Sequence, residues 1–200
     1  PVVAFSLALS DAANLTSFVG TDEVLIGKSV ADYALSLTGG KGNMALMTGI
    51  LGTSPQLGRS EGQHQAFDGK DGVAVVEEQP NDWAHDKTVA LIQNWLSKYP
   101  KGELTAVFAH GPEIVAAAEY AKSQGRDEVL FFGVDYPEDM RQAIKSGIVQ
   151  ATVAQSPARL AKLAVEAADK AVKGEAVEKK IVIETPLITK DNVDQVPADY

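Results

Sequence analysis

Apolar stretches of strand length alternate along this chain with segments whose apolar residues recur at helical spacing. Continuous apolar runs of about four to eight residues are typical of strands that are covered on both faces. Such runs predict strands at residues 2–6, 43–48, 72–77, 104–109, 129–134, 149–154 and 180–185. The intervening segments predict helices at residues 23–37, 56–67, 84–98, 113–124, 138–146 and 157–173. This alternation predicts a doubly wound α/β fold with parallel sheets and right-handed crossovers.

Proline follows a short turn at four of the predicted strand-to-helix junctions. The junctions are Ser54-Pro55, Gly111-Pro112, Tyr136-Pro137 and Ser156-Pro157. Proline is favoured at the first helical position, and we expect the serines to cap their helices. Each turn follows the carboxyl end of a predicted strand, which is the edge where open α/β sheets bind ligands.

Polar and aromatic side chains occur at these same strand ends. Trp83, His110, Asp135 and Gln155 each follow a predicted strand, and Arg59 lies just inside the helix after Ser54-Pro55. A guanidinium and a carboxylate make charge-assisted hydrogen bonds to hydroxyls, an amide both donates and accepts, and an indole covers the apolar face of a sugar. Taken singly, each residue also has a structural explanation, such as a turn or cap for Asp135. Their joint placement favours a site for a neutral, polyhydroxylated ligand.

The composition argues against several classes of partner. The chain has 200 residues, 18 Lys+Arg and 27 Asp+Glu, which give a formal net charge of −9. We therefore expect no binding to nucleic acid, because no cationic surface is available for the phosphate backbone. No apolar run approaches the ~18 residues of a membrane-spanning helix. Cysteine is absent, which excludes disulfides, thiolate nucleophiles and Cys-zinc sites.

Motifs for cofactors, metals and catalysis are also missing. The stretch TGGKGNM (38–44) precedes a strand instead of following one, so it predicts a helix C-cap and a turn, not a nucleotide site. His64, His85 and His110 lack ligand spacing, so we expect surface histidines and no metal site. No G-x-S-x-G occurs. His110 and Asp135 could share a rim, which leaves acid–base chemistry open, but no second carboxylate stands out as a partner. We expect no enzyme and no cofactor.

Longer stretches resemble the ribose-type solute-binding proteins of bacterial ABC sugar importers, which have the type I periplasmic-binding-protein fold. The likeness is carried by FVGTDEVLIGKSVADY, GTSPQLGRSEGQHQAF, VFAHGPEIVAAAEYAKSQG, VLFFGVDYPEDMRQAIKSGIVQATVAQSP and AVKGEAVEKKIVIETPLITKDNV. The resemblance implies a protein that captures a sugar, a sugar alcohol or a similar solute and delivers it to the membrane permease of an ABC importer. It implies a periplasmic location or, in a Gram-positive organism, an extracellular, lipid-anchored one.

The resemblance also implies two lobes that are joined by three hinge crossings. The crossings fall near Thr21-Asp22, Gln155-Ser156 and Glu184-Thr185. Residues 22–155 plus 185–200 would form the C-terminal lobe, and residues 1–21 and 156–184 would be parts of the N-terminal lobe. PVVAFS matches the final strand before the first crossing. Because the chain begins with Pro1, we expect the earlier part of that lobe, and any export signal, to be missing.

Four of the candidate residues coincide with the family's ligand-binding positions. Arg59 falls on the arginine that grips the ligand, Trp83 on an aromatic residue that packs on the sugar, Asp135 on the ligand-binding aspartate and Gln155 on the hinge glutamine. The chain departs from the ribose binders at two places, where Ser6-Leu7 replaces an Asp-Arg pair and Gly111-Pro112 replaces Asn-Asp. We therefore expect a solute other than ribose. The effector-binding domains of LacI-type repressors share the fold and are the alternative, although TPLITKDNV and the acidic balance favour the transport protein.

Overall fold

The computed structural model describes residues 1–9 and 13–199, which form nine strands and six helices. The strands are β1 (Val3–Phe5), β2 (Ser17–Gly20), β3 (Gly42–Thr48), β4 (Val73–Pro80), β5 (Ala106–Ala109), β6 (Leu130–Phe132), β7 (Ala151–Val153), β8 (Lys180–Val182) and β9 (Leu187–Thr189). The helices are α1 (Glu23–Thr38), α2 (Ser54–Phe67), α3 (His85–Lys98), α4 (Ile114–Ser123), α5 (Glu138–Ser146) and α6 (Pro157–Val172). The predicted α/β fold is confirmed.

Most of the chain surrounds a six-stranded sheet with the order β4-β3-β5-β6-β7-β9. Its strands are parallel, as predicted, except that β9, which the apolar pattern did not predict, pairs antiparallel with β7 at one edge. The strand order reverses at β3, since β4 lies on one side of β3 and β5 on the other. This switch point creates a crevice at the carboxyl ends of the strands.

Helices cover both faces of this sheet. On one face α1 and α2 bury Ile26, Val30 and Phe67 against the sheet. On the other face α3, α4 and α5 bury Trp95 and Ile114 among other apolar residues. The central strands, such as β5 and β7, are therefore buried on both faces, which explains why they appear in the sequence as mainly apolar runs.

A second sheet contains three parallel strands in the order β1-β2-β8. Leu160, Ala164 and Ala167 of α6 pack beneath it with Val19 and Ile183. The strand that leads into the first crossing is β2, and PVVAFS is its neighbour β1, so that match was wrong. The strands β2 (SFVG) and β9 (LIT) were not predicted, because each has only two consecutive large apolar residues between polar or glycine neighbours.

The chain passes between the two sheets three times: after β2, after β7 and after β8. These passages are the three crossings of the type I fold. The assignment of residues 22–155 plus 185–200 to one lobe and of residues 1–21 and 156–184 to the other stays a prediction. Among the described residues, no helix is both long and apolar enough to cross a membrane.

The helix starts follow the predicted proline pattern in part. Pro55 and Pro157 occupy the first turn of α2 and α6, and the hydroxyl of Ser156 caps α6 by accepting from the backbone N–H of Arg159. Pro112 and Pro137 instead precede the first residue of their helices. Ser54 does not cap α2, because its Oγ accepts from the backbone N–H of Ala8 at 2.9 Å. As predicted, Gly39 ends α1 in the left-handed conformation.

Candidate functional site

A cavity of about 800 Å³ opens between the carboxyl edge of the six-stranded sheet and the elements of the smaller sheet. All five candidate residues line it: Arg59, Trp83, His110, Asp135 and Gln155. The opposite wall contains Phe5, Ser6, Leu7, Pro157 and Leu160. Residues that are far apart in sequence therefore converge on one volume, as their positions at strand ends indicated. Their role in binding a ligand stays a prediction.

Asp135 follows β6 with a φ of 70°, in the left-handed region that aspartate tolerates better than most residues. Its backbone N–H donates to the carbonyl of Val153 at 2.9 Å, and its own carbonyl accepts from the Thr152 hydroxyl at 2.7 Å. Both bonds hold the backbone without using the carboxylate. The side chain accepts one hydrogen bond, from the Gln155 amide, at 2.7 Å. The carboxylate is therefore held at the cavity wall by a rigid turn.

Burial raises the pKa of Asp135 above its ordinary value, because a carboxylate that is removed from water loses hydration. The nearby Arg59 guanidinium and the hydrogen bond from Gln155 oppose this shift without cancelling it. Glu23 adds to the shift as a like charge. The folded protein thus holds a carboxylate whose charge is incompletely compensated.

Arg59 is buried on α2, with 4% of its surface exposed. Its Nε donates to Oε2 of Glu23 at 2.8 Å, and its Nη1 donates to the His110 carbonyl. Within the described part of the chain, these bonds use two of the five N–H donors of the guanidinium. The others remain for a ligand in the cavity that Arg59 lines.

His110 is fully buried, so the expectation of a surface histidine was wrong for this residue. Its Nε2 lies 3.0 Å from Oε1 of Gln63. Burial and the neighbouring Arg59 charge lower the pKa of His110 to about 3, so the ring is neutral near pH 7 and donates from Nε2. Among the described residues nothing bonds to its Nδ1. A histidine with this pKa is a poor general base, which weakens the acid–base alternative for His110 and Asp135.

Trp83 lies on a turn in which both Asp82 and Trp83 have positive φ angles, 53° and 56°. The side-chain Oδ1 of Asn81 stabilises this turn by accepting from the backbone N–H of Trp83 at 3.1 Å. The indole packs directly on Gly49, where an added Cβ would clash with the ring. It also reaches Gly111, since a Cβ there would lie 3.1 Å from Cδ1 of the indole. Two glycines therefore make room for the aromatic wall.

A continuous series of polar contacts, which we call the hinge chain, joins Asp135, Gln155, Thr21, Glu23 and Arg59. Gln155 donates to Asp135, and its Oε1 lies 3.2 Å from the hydroxyl of Thr21. That hydroxyl lies 2.7 Å from Oε1 of Glu23, which is in turn ion-paired with Arg59. A hydroxyl has one hydrogen, so Thr21 donates to one of its two acceptors at a time. Thr21 and Gln155 belong to the first two crossings, so the site and the hinge share these groups.

Sequence reasoning missed three residues of the site. They are Glu23, which lies in the predicted helix 23–37, Glu113, which lies in the predicted helix 113–124, and Asn81, which lies between predicted elements. In the structure Glu113 lines the cavity, and its Oε1 accepts from Nδ2 of Asn81 at 2.7 Å. Burial raises the pKa of Glu113, and the Asp135 charge raises it further. The sequence feature that could have identified Glu113 as a site residue is its position directly after the turn at a strand end.

The site shows no arrangement for a metal. Within residues 1–9 and 13–199, no group of three or more His, Cys, Asp or Glu side chains is placed to hold an ion. What the geometry offers is a set of fixed donors and acceptors beside an indole, which suits hydrogen bonding to hydroxyls.

Comparison with known proteins points the same way. Residues 1–176 match the family model described as a periplasmic binding protein domain. The ribose import binding protein of Haemophilus influenzae is 34% identical over 177 residues, which cover 88% of this chain and 60% of that protein. The xylitol-binding protein of Mycolicibacterium smegmatis is 31% identical over 195 residues, which cover 97% of this chain and 55% of that protein.

A solved structure is similar over nearly the whole chain. It is an ABC transporter solute binding protein from Bacillus halodurans C-125 with bound myo-inositol, 28% identical, with a TM-score of 0.91 over 98% of this chain and 68% of that one. The chain spans 60% or less of the lengths of the two curated relatives described above.

Proposed function

This chain belongs to the periplasmic binding protein domain family, and we propose that it captures a sugar, a sugar alcohol or a similar polyhydroxylated solute between two lobes. The observation that carries the proposal is the cavity of about 800 Å³ between the two sheets. Ligand sites of this kind are concave and mostly apolar, with a small number of fixed polar groups.

We propose that the two sheets form the cores of the two lobes, with boundaries at residues 22–155 plus 185–200 and at residues 1–21 and 156–184. The cavity walls support this division, because Arg59 (on α2) and Asp135 (after β6) belong to the elements of the larger sheet, and Phe5 (on β1) and Leu160 (on α6) belong to those of the smaller one. A solute that contacts both walls stabilises the closed state by its differential affinity for that state. The hinge chain gives the bound solute a direct connection to two of the crossings.

Each candidate residue has a role that follows from its chemistry. The guanidinium of Arg59 and the carboxylate of Asp135 bind solute hydroxyls by charge-assisted hydrogen bonds. Gln155 holds the Asp135 carboxylate and offers its own amide. Trp83 covers the apolar C–H face of the ring. His110 fixes Arg59 through its carbonyl, and its neutral ring closes the floor of the site.

The solute is passed on without chemical change. Membership in a family of solute-binding proteins supports binding without catalysis, and the names of the relatives support delivery to an ABC importer from the periplasm or the outer cell surface. The relatives bind different solutes by name, including ribose and xylitol. Ser6-Leu7 and Gly111-Pro112 alter two parts of the cavity relative to the ribose-type pattern, which favours a solute other than ribose.

A ligand screen on the full-length protein that carries this sequence tests the proposal. A panel of neutral sugars, amino sugars, cyclitols and sugar alcohols is added in a thermal-shift assay, and the positive compounds are measured by calorimetry. A solute at 100 times its dissociation constant should stabilise the protein by about 2.7 kcal/mol. Mass spectrometry should recover the solute unchanged. Failure of every member of the panel to bind, or conversion of a bound member into product, would overturn the proposed function.

A further inference from the structure

The cavity wall carries more negative charge than a neutral sugar requires. Among the described residues that line it, five have carboxylates and one has a guanidinium. The carboxylates are Glu23, Glu113, Glu119, Asp135 and Asp139. Glu23 is ion-paired with Arg59, and Glu119 and Asp139 are exposed to water. Two partly buried carboxylates therefore remain, those of Glu113 and Asp135.

Within the described ranges these two carboxylates accept side-chain hydrogen bonds from neutral amides alone. Asn81 donates to Glu113, and Gln155 donates to Asp135. Arg59 is close enough to lower the pKa of each, but burial prevails and both pKa values are raised. A buried charge without an opposite charge is costly. A solute hydroxyl would supply a hydrogen bond but no charge, whereas an ammonium group would supply both.

The position of Glu113 depends on the glycine at 111. An added Cβ at Gly111 would clash with Oε2 of Glu113 and would lie 3.1 Å from Cδ1 of Trp83. The carboxylate and the indole edge therefore adjoin the same point, where another residue would place its side chain. Because Trp83 and Glu113 both line the cavity, a ligand group that packs beside the indole there also lies beside a carboxylate, which forms a charge-assisted hydrogen bond with an ammonium group.

We propose that the solute is a polyol that carries a protonated amine, and that Glu113 and Asp135 bind this amine beside the indole of Trp83. The inference rests on the proposed function and specifies its ligand class. Glu113 is then a specificity-determining residue, since its carboxylate distinguishes an amine from a hydroxyl at the same position.

Matched ligand pairs test the ligand class. Calorimetry compares D-glucose with D-glucosamine, D-galactose with D-galactosamine, and myo-inositol with an inositol in which an amine replaces one hydroxyl. N-acetyl-D-glucosamine, which lacks the charge, is the control. We expect the amine of at least one pair to bind about tenfold tighter or more. Equal or tighter binding of the neutral member in every pair would overturn this inference alone. Binding of neither member in any pair would also overturn this inference, whereas the proposed function fails only if every other member of the panel fails to bind as well.

Two variants locate the effect. Glu113→Gln keeps an oxygen that can accept from Asn81 but removes the charge, so we expect the amine to lose about tenfold in affinity and the neutral partner less than about twofold. Gly111→Ala keeps the charge but displaces the carboxylate, so it should reduce the same preference. Glu103→Gln, on an exposed residue at the opposite end of β5, is the matched control and should change neither affinity. An equal loss for amine and neutral ligand in Glu113→Gln would contradict the proposal.

Discussion

Replacing Asp135 with asparagine separates the charge of this residue from its backbone conformation. Asparagine tolerates the left-handed φ of 70°, and its Oδ1 can still accept from Gln155. The backbone bonds to Val153 and Thr152 do not involve the side chain. Alanine would add about 1–2 kcal/mol of backbone strain at this φ. An alanine variant would therefore mix a loss of folding stability with any loss of solute affinity. The second variant is therefore Asp135→Gly, which removes the side chain without that strain.

We expect Asp135→Asn to weaken solute binding and to stabilise the free protein. A charge-assisted hydrogen bond is about twice as strong as a neutral one, so the loss in Asp135→Asn should be at least about tenfold, or about 1.4 kcal/mol. Asp135→Gly removes the partner altogether and should cost about 2–5 kcal/mol of binding free energy.

The stability of the ligand-free protein should change in the opposite direction. Because burial raises the folded-state pKa of Asp135, the folded protein binds this proton more tightly than the unfolded chain does. The contribution of Asp135 to the free energy of unfolding is therefore greatest at low pH and falls as the pH rises through the folded-state pKa. At neutral pH the folded protein bears the free-energy cost of a desolvated Asp135 charge, and Asp135→Asn removes this cost. The melting temperature of the variant without solute should therefore rise.

Calorimetric titration and thermal unfolding of the same preparations measure both effects. Asp71→Asn, on an exposed residue before β4, is the matched loss of one charge and should alter neither quantity. Undiminished affinity in a folded Asp135→Asn and Asp135→Gly would refute the assignment of Asp135 to the solute. A fall in melting temperature for Asp135→Asn would refute the account of its buried charge.

Three further predictions follow from the neighbours of Asp135. In a Trp95→Phe variant, which leaves Trp83 as the single tryptophan within this sequence, fluorescence should shift on solute binding, and an unchanged spectrum would remove Trp83 from the site. Gly49→Ala should push the indole out of position and weaken binding by about tenfold or more, and calorimetry showing wild-type affinity would contradict the packing described here. Because the pKa of His110 is lowered to about 3, its contribution to the free energy of unfolding is complete above about pH 6.5 and is lost as the pH falls towards 3. In urea titrations, the free energy of unfolding of His110→Gln should therefore fall less steeply with decreasing pH than that of the wild type. Equal slopes for the two proteins would contradict this account.

The sequence predicted the fold well because buried strands and amphipathic helices leave strong periodic signals. It also placed four of the candidate residues at strand ends and Arg59 just inside the helix that follows such an end, and topology brings these ends together. It failed for β2 and β9, in which only two large apolar residues follow one another. It also failed for His110, because the environment of a single polar residue after a strand depends on contacts with Gln63 and Arg59 from another element.

Glu113 shows a different limit. Its sequence position after Pro112 suggested a favourable charge at a helix start, and in the structure it does lie at the N-terminus of α4. What no local pattern reveals is that Gly111 leaves space for its carboxylate and that Asn81, from 32 positions earlier, holds it. Such positions are decided by tertiary packing, which is why the candidate site could be predicted as a region but not as a complete set of groups.

The hinge chain restricts how the specificity of this protein can evolve. Gln155, Thr21 and Glu23 each form a hydrogen bond with the next residue of the hinge chain. A substitution of Gln155 or Glu23 therefore changes the acceptor to which the Thr21 hydroxyl donates. The effect of substituting one residue of the hinge chain thus depends on which residues are present at its other positions. Effects within such a network are not additive, so the order in which mutations arise matters. Glu113 and Trp83 lie outside the hinge chain and are both fixed by Asn81. Natural divergence towards new solutes should therefore begin at Glu113 and Trp83, while the hinge chain changes rarely and several residues at a time.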